Sequence, residues 1–173
     1  PFSIGNGLSW DWLIQLYIQT LGSYSYATVN MANLYYLFSA NWVATSQSVG
    51  WALPLVFGVL CAIWAAVTFC RQRKCNMPLF WLESLVTGCF AVYYFILTLV
   101  QSSYTLIGVP AMALCILLTL GMYLRGNDLK HLPLAGGILF VLLCCFGLKM
   151  HERYLFPALL LLGLAFLQRR DRR

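Results

Sequence analysis

Lys149-Met150-His151-Glu152-Arg153-Tyr154-Leu155-Phe156-Pro157 decides how this chain is read. It sets an ammonium, an imidazole, a carboxylate and a guanidinium between two apolar runs, residues 132–148 and 154–167. The first run is near the length a helix needs to cross the hydrocarbon core of a bilayer. The second is short and is expected to begin inside the charged stretch. Ionisable groups at a membrane boundary are costly unless they reach water, pair with one another or meet a polar ligand. Two readings stand side by side: an interfacial anchor whose charges snorkel to water, and a headgroup site at the mouth of a helix bundle.

Outward from this stretch the chain is mostly hydrocarbon. It is 61% hydrophobic and 9% charged, with a mean hydropathy of +0.77. That composition excludes an ordinary soluble domain and indicates an integral membrane protein. A formal charge of +6 would suit nucleic acid, but the basic residues flank apolar segments instead of forming a stripe, so no nucleic-acid partner is expected. The pattern predicts an all-α, polytopic transmembrane bundle of about five spans, over residues 49–70, 79–100, 106–124, 132–148 and 154–167. Arg71, Arg73 and Lys74 follow the first span, Arg125 and Lys130 the third, and Arg169, Arg170, Arg172 and Arg173 the last. All three clusters then fall on one side, expected to be cytoplasmic together with the C-terminus. Residues 1–48 and 149–153 fall on the other, extracytoplasmic side. Lys149 and Arg153 thus run against the positive-inside trend, which favours the ligand reading over the anchor.

Residues 1–48 form a region of their own, ahead of a transmembrane region over 49–173. They are rich in Tyr, Trp, Asn and Ser, with Asp11 as their one formal charge. Residues 9–19 read as an amphipathic interfacial helix that Ser9 would cap, and 27–42 read as a second helix carrying Asn30 and Asn33 on one face. This region is either an aromatic-belt loop or a polar lid over a site. Asp11 is either a residue favourable to a helix N-terminus or a sugar contact. Glu83, early in the second span, reads as a complement to that helix's dipole, and His131 as a solvated loop residue. The seven cysteines show no metal-ligand spacing, and no Gly-rich phosphate loop, nucleophile elbow or zinc motif occurs. No metal site and no cofactor is evident from the residues, and a divalent-metal requirement stays open at this point. The chain begins at Pro1 in apparent mid-structure, and is expected to be the C-terminal portion of a longer protein whose upstream helices are its partners.

The charged motif has the chemistry of a phosphate site. Arg153 can grip a phosphate through a forked pair of hydrogen bonds. His151 can donate to a phosphate oxygen or carry a proton. Glu152 can orient His151 or Arg153, or act as a base. A helix beginning near Arg153 would turn its free N–H groups and positive dipole end toward an anion, with Pro157 tolerated in its first turn. Lys149 would lie one turn before Arg153 if that helix extended backward.

The segment Met150-His151-Glu152-Arg153-Tyr154-Leu155-Phe156-Pro157-Ala158-Leu159 resembles the His-Glu-Arg-Tyr segment near the C-terminus of bacterial mannosyltransferase-like membrane proteins of the GT-C superfamily. Val29-Asn30-Met31-Ala32-Asn33-Leu34-Tyr35-Tyr36-Leu37 and Asn41-Trp42 resemble their upstream Asn-aromatic segment. The resemblance implies a glycosyltransferase of the bacterial plasma membrane that passes a sugar, mannose in the namesake proteins, from a polyprenyl-phosphate donor to an extracytoplasmic acceptor. It implies that His151, Arg153 and Lys149 hold the lipid phosphate, that Glu152 orients them, and that Asn30, Asn33, Tyr36 and Asp11 face the sugar or acceptor. It also implies a catalytic carboxylate in an upstream extracytoplasmic loop, so neither Asp11 nor Glu152 is assigned that role. The alternative is a non-catalytic membrane subunit that binds or moves a lipid phosphate.

Overall fold

The computed structural model describes residues 10–23, 25–75, 78–126 and 129–170. After helix α1 (Trp10–Ser23) the chain makes a short strand β1 (Thr28–Val29), a single helical turn α2 (Leu34–Leu37) and a strand β2 (Ser48–Val49). Then come α3 (Ala52–Cys75), α4 (Pro78–Leu99), strand β3 (Ser102–Ser103) and α5 (Tyr104–Gly126). A 3-10 turn at Leu129–His131 leads into α6 (Leu132–Phe146), strand β4 (Met150–His151), a second 3-10 turn (Glu152–Leu155) and α7 (Phe156–Arg170). This is an all-α polytopic bundle with two minor two-stranded sheets.

Proline and basic residues punctuate it as the chemistry requires. Pro78 opens α4 and Pro133 lies in the first turn of α6, where a missing N–H costs nothing. Arg73 and Lys74 close α3, where cations complement the helix dipole. Pro110 is the exception, inside α5. A proline there cannot donate to the carbonyl four residues back, which is that of Leu106. The Tyr93 hydroxyl of α4 donates to that carbonyl instead, at 2.8 Å, and Tyr94 donates to the next, Ile107, at 2.9 Å. Thr68, Thr87 and Thr119 return their hydroxyls to the carbonyls of Trp64, Glu83 and Cys115, so these buried polar groups are satisfied within their own helices.

Among the described residues four helices are long and apolar enough to cross a membrane: Ala52–Lys74, Pro78–Leu99, Tyr104–Gly126 and Leu129–Phe146. The expected fifth span, α7, of 15 residues, is not among them. It packs against α6. Its start also differs from expectation, because residues 152–155 wind as a 3-10 turn and the α-helix begins at Phe156.

The segment 27–42 is not the helix its spacing predicted. Asn30, Ser39 and Trp42 take positive φ angles of 53°, 58° and 60°, and each breaks a right-handed helix. The backbone bonds run across the loop: Ala27 N–H to Val43 O at 2.7 Å, and Trp42 N–H to Thr28 O at 3.0 Å. Asn30 and Asn33 therefore do not share a helical face.

These loops gather at one end of the bundle. β2 pairs antiparallel with β3, placing Val49 opposite Ser102, and Thr105 N–H donates to Thr45 O at 3.2 Å. Beneath them lies an aromatic core. Phe57 stacks on Tyr94 with centroids 5.2 Å apart, and Tyr35 and Phe146 approach Phe57 at 6.0 Å each.

Candidate functional site

The two segments singled out from sequence meet in a parallel strand pair. β1 lies beside β4 with Thr28 opposite Met150 and Val29 opposite His151. Helix α6 ends at Gly147, which is extended (φ −83°, ψ 152°) and donates its N–H to Leu143 O at 2.7 Å. A Cβ at Gly147 would overlap that carbonyl, so a side chain here would push the chain away from its exit path. Leu148 then drops into a notch left by Gly108 of α5. Lys149 turns the chain through a positive φ of 58° and donates its N–H to Ala27 O at 2.9 Å. The next two residues are β4. Lys149 and Arg153 are therefore separated by a left-handed residue and an extended strand, not by one turn of helix.

Tyr35 ties the same two segments from below. Its hydroxyl donates to Phe146 O at 3.0 Å, 111 residues away, and its ring is fully buried. Burial first, and then the neighbouring Cys115, push the phenol well above its ordinary value. It remains a neutral donor at any physiological pH. Only Tyr36 was singled out from sequence at this place, and Tyr36 is exposed. The aromatic that matters for geometry is its neighbour, and adjacent tyrosines give no signal as to which turns inward.

The asparagines build the loop. Asn30 accepts the Trp42 indole N–H on its side-chain oxygen at 3.2 Å, while its own backbone N–H donates to Asn41 Oδ1 at 2.9 Å. Asn33 caps α2, its Oδ1 accepting from Tyr36 N–H at 3.1 Å. It is 4% exposed, and its Nδ2 has no hydrogen-bond partner among the described residues. A buried amide donor left open in this way is costly and calls for an acceptor.

On the surface of this platform, Lys149 and His151 are half-buried and Glu152 and Arg153 exposed. The His151 ring meets that of Tyr154 edge-on, with centroids 6.3 Å apart. Lys149, His151 and Arg153 thus lie on one short connection, two on or beside β4 and one in the following 3-10 turn. Pro157 sits in the first turn of α7. Asp11 is exposed in the first turn of α1, and α1 makes no extended contact with another described element. Asp11 is not brought to the platform by any such contact. Ser9 lies outside the described residues.

At the far end of the bundle lies a cluster that sequence reasoning missed. Glu83 of α4 is buried, pairs through Oε2 with Arg125 of α5, and accepts the Trp64 indole N–H of α3 on Oε1 at 2.9 Å. The Arg125 guanidinium also lies 4.6 Å from the centroid of Phe80. From sequence Arg125 reads as one of the basic residues that end the third span and mark the cytoplasmic side. The available clue was the antiparallel order of adjacent spans, which brings the start of the second beside the end of the third.

Among the described residues no group of His, Cys, Asp and Glu is placed to hold a metal ion. No protein-family model, curated protein or solved structure matches this chain.

Proposed function

We propose that this chain is the C-terminal part of an integral membrane glycosyltransferase that uses a polyprenyl-phosphate-linked sugar, mannose being the first candidate. The observation that carries this reading is the register of β1 on β4, which sets the Asn-aromatic segment against His151. Both segments that resemble the GT-C proteins thereby belong to one platform at one end of an apolar bundle.

In this reading the platform end is extracytoplasmic and lies at the headgroup layer of a bacterial plasma membrane. Arg153 and Lys149 bind the carrier phosphate as cations, and His151 adds a hydrogen bond. The acceptor hydroxyl attacks the anomeric carbon, the bond from that carbon to the phosphate oxygen breaks, and the carrier phosphate leaves with the electron pair. The cations stabilise the negative charge that grows on that oxygen, so they act more strongly on the transition state than on the bound donor. The acceptor's proton goes to a carboxylate that the resemblance places upstream of these residues. Glu152 orients the neighbouring cations, and Asn30, Asn33 and Tyr36 line the sugar or acceptor side, where the open Nδ2 of Asn33 offers a donor to a hydroxyl.

The test is sugar release from radiolabelled mannosyl-phosphoryl-polyprenol by the complete protein in nanodiscs. His151→Ala and Arg153→Ala should each lower transfer at least tenfold while the unfolding temperature holds. Full activity in both variants would overturn the site. Retention of polyprenyl phosphate with no sugar release by the wild type would move the assignment to a lipid-phosphate-binding subunit.

A further inference from the structure

We propose a second lipid site, at the opposite end of the bundle, that takes an anionic phospholipid: one acyl chain in the groove between α3 and α4, and the phosphate against the basic last turns of α3. The groove has a volume of about 590 Å³ and is walled by Phe69 of α3 and by Trp81, Leu85 and Val92 of α4. Gly88 forms its floor, and a Cβ there would meet nothing within 4 Å. The lining is mostly carbon, and the hydroxyl of its Ser84 already donates to Ala65 O at 2.9 Å, which suits a hydrocarbon chain. Trp81 is 54% exposed, as an amphipathic ring at headgroup depth would be.

Beyond Phe69 the last turn of α3 is basic, with Arg73 and Lys74. Arg73 holds its guanidinium 4.7 Å from the centroid of Phe69, itself a wall of the groove. On the adjacent face of α3, Arg71 and Lys74 line a second, smaller groove with Val67 and Cys70. All three basic side chains are exposed. The one carboxylate described at this end, Glu83, is paired with Arg125, and among the described residues none of Arg71, Arg73 and Lys74 makes a salt bridge. Clustered basic residues beside a span attract anionic lipid, and a guanidinium grips phosphate through forked hydrogen bonds. A phosphatidylcholine would bring its own cation against the same cluster, so the site discriminates by headgroup charge. A free phosphate would leave the groove unused. This inference does not depend on the transferase reading.

The experiment uses native mass spectrometry of the complete, delipidated protein with phosphatidylglycerol or phosphatidylcholine of identical acyl chains. Wild type should retain phosphatidylglycerol preferentially, and millimolar inorganic phosphate should not displace it. Arg71→Ala, Arg73→Ala and Lys74→Ala should each reduce that preference roughly fivefold. Gly88→Leu places its Cβ in open space and its side chain in the groove, so it should reduce phosphatidylglycerol retention while the unfolding temperature holds. Equal retention of the two lipids by wild type, displacement by inorganic phosphate, or unchanged retention in Gly88→Leu would each overturn the proposal.

Discussion

Replacing Gly108 by alanine tests the link between the bundle and its platform. Gly108 lies in α5, where helix propensity alone favours alanine over glycine by about 1 kcal/mol. The packing demands the opposite sign. A Cβ at this position would overlap Leu148 Cγ and Cδ1 and come within 2.8 Å of the Tyr35 hydroxyl. Neither neighbour has free space, because Leu148 is 4% exposed and Tyr35 is fully buried. One of them must move, and overpacking of this kind costs about 1–3 kcal/mol. Moving Leu148 drags the adjoining Lys149–His151 off β1, while moving Tyr35 breaks its bond to Phe146 O. Thermal unfolding of the purified protein in nanodiscs, read by circular dichroism, measures the first effect, and sugar release from mannosyl-phosphoryl-polyprenol the second. Gly108→Ala should lower both. Gly121→Ala, on the same helix but with nothing within 4 Å of its Cβ, should leave both unchanged or raise stability slightly. Leu148→Ala in the Gly108→Ala background should recover part of the loss. If Gly108→Ala melts at or above the wild-type temperature, Leu148 is not seated in that notch.

Three further outcomes follow from side-chain polar contacts. Glu83→Gln strips the Arg125 guanidinium of its counter-charge in an apolar bundle, which should cost about 3–5 kcal/mol; the double variant with Arg125→Met should unfold at a higher temperature than Glu83→Gln alone, and a lower one would refute the pairing. Tyr93→Phe should cost about 1 kcal/mol by exposing the Leu106 carbonyl that Pro110 leaves free, and Pro110→Ala in that background should restore stability by supplying the missing N–H; no rescue would refute that account. Tyr35, whose phenol is held high by burial, contributes a stability that is fully present below the unfolded value of about 10 and is lost as pH rises beyond it, since only the unfolded chain then releases the proton. Melting temperatures across that window should fall less steeply in Tyr35→Phe than in wild type, and parallel slopes would contradict the assignment.

The bundle was legible because its signals are local. The runs behind α3, α4, α5 and α6 announce themselves by length and hydropathy, and Pro78, Arg73, Lys74 and Arg125 mark where they stop or start. The short α7 was visible as an apolar run, but sequence alone did not place the 3-10 turn that delays its start. What misled was residues 27–42, whose spacing imitates a helix while the backbone bonds are made with partners across the loop. Asn30 is of a type enriched in the left-handed region, but Ser39 and Trp42 also take it and their identities carry no such signal. The chemistry of the platform was half legible. Lys149, His151 and Arg153 stand out as charges between apolar runs, but two-residue strands such as β1 and β4 leave no periodicity to read. Their pairing depends on the Gly108 notch and the Tyr35 hydrogen bond, both made between segments far apart in the chain. The Glu83–Arg125 pair was hidden for the same reason, each partner having an adequate local explanation alone.

The most direct test of the central claim is photo-crosslinking of the complete protein with a polyprenyl phosphate bearing a photoreactive group on the isoprene unit next to the phosphate. Label should be recovered in peptides covering residues 25–42 and 147–156, should fall with excess unlabelled polyprenyl phosphate, and should be lost from both in Arg153→Ala. Label confined to α3 and α4, or undiminished by the competitor, would contradict a carrier-phosphate site on the β1–β4 platform.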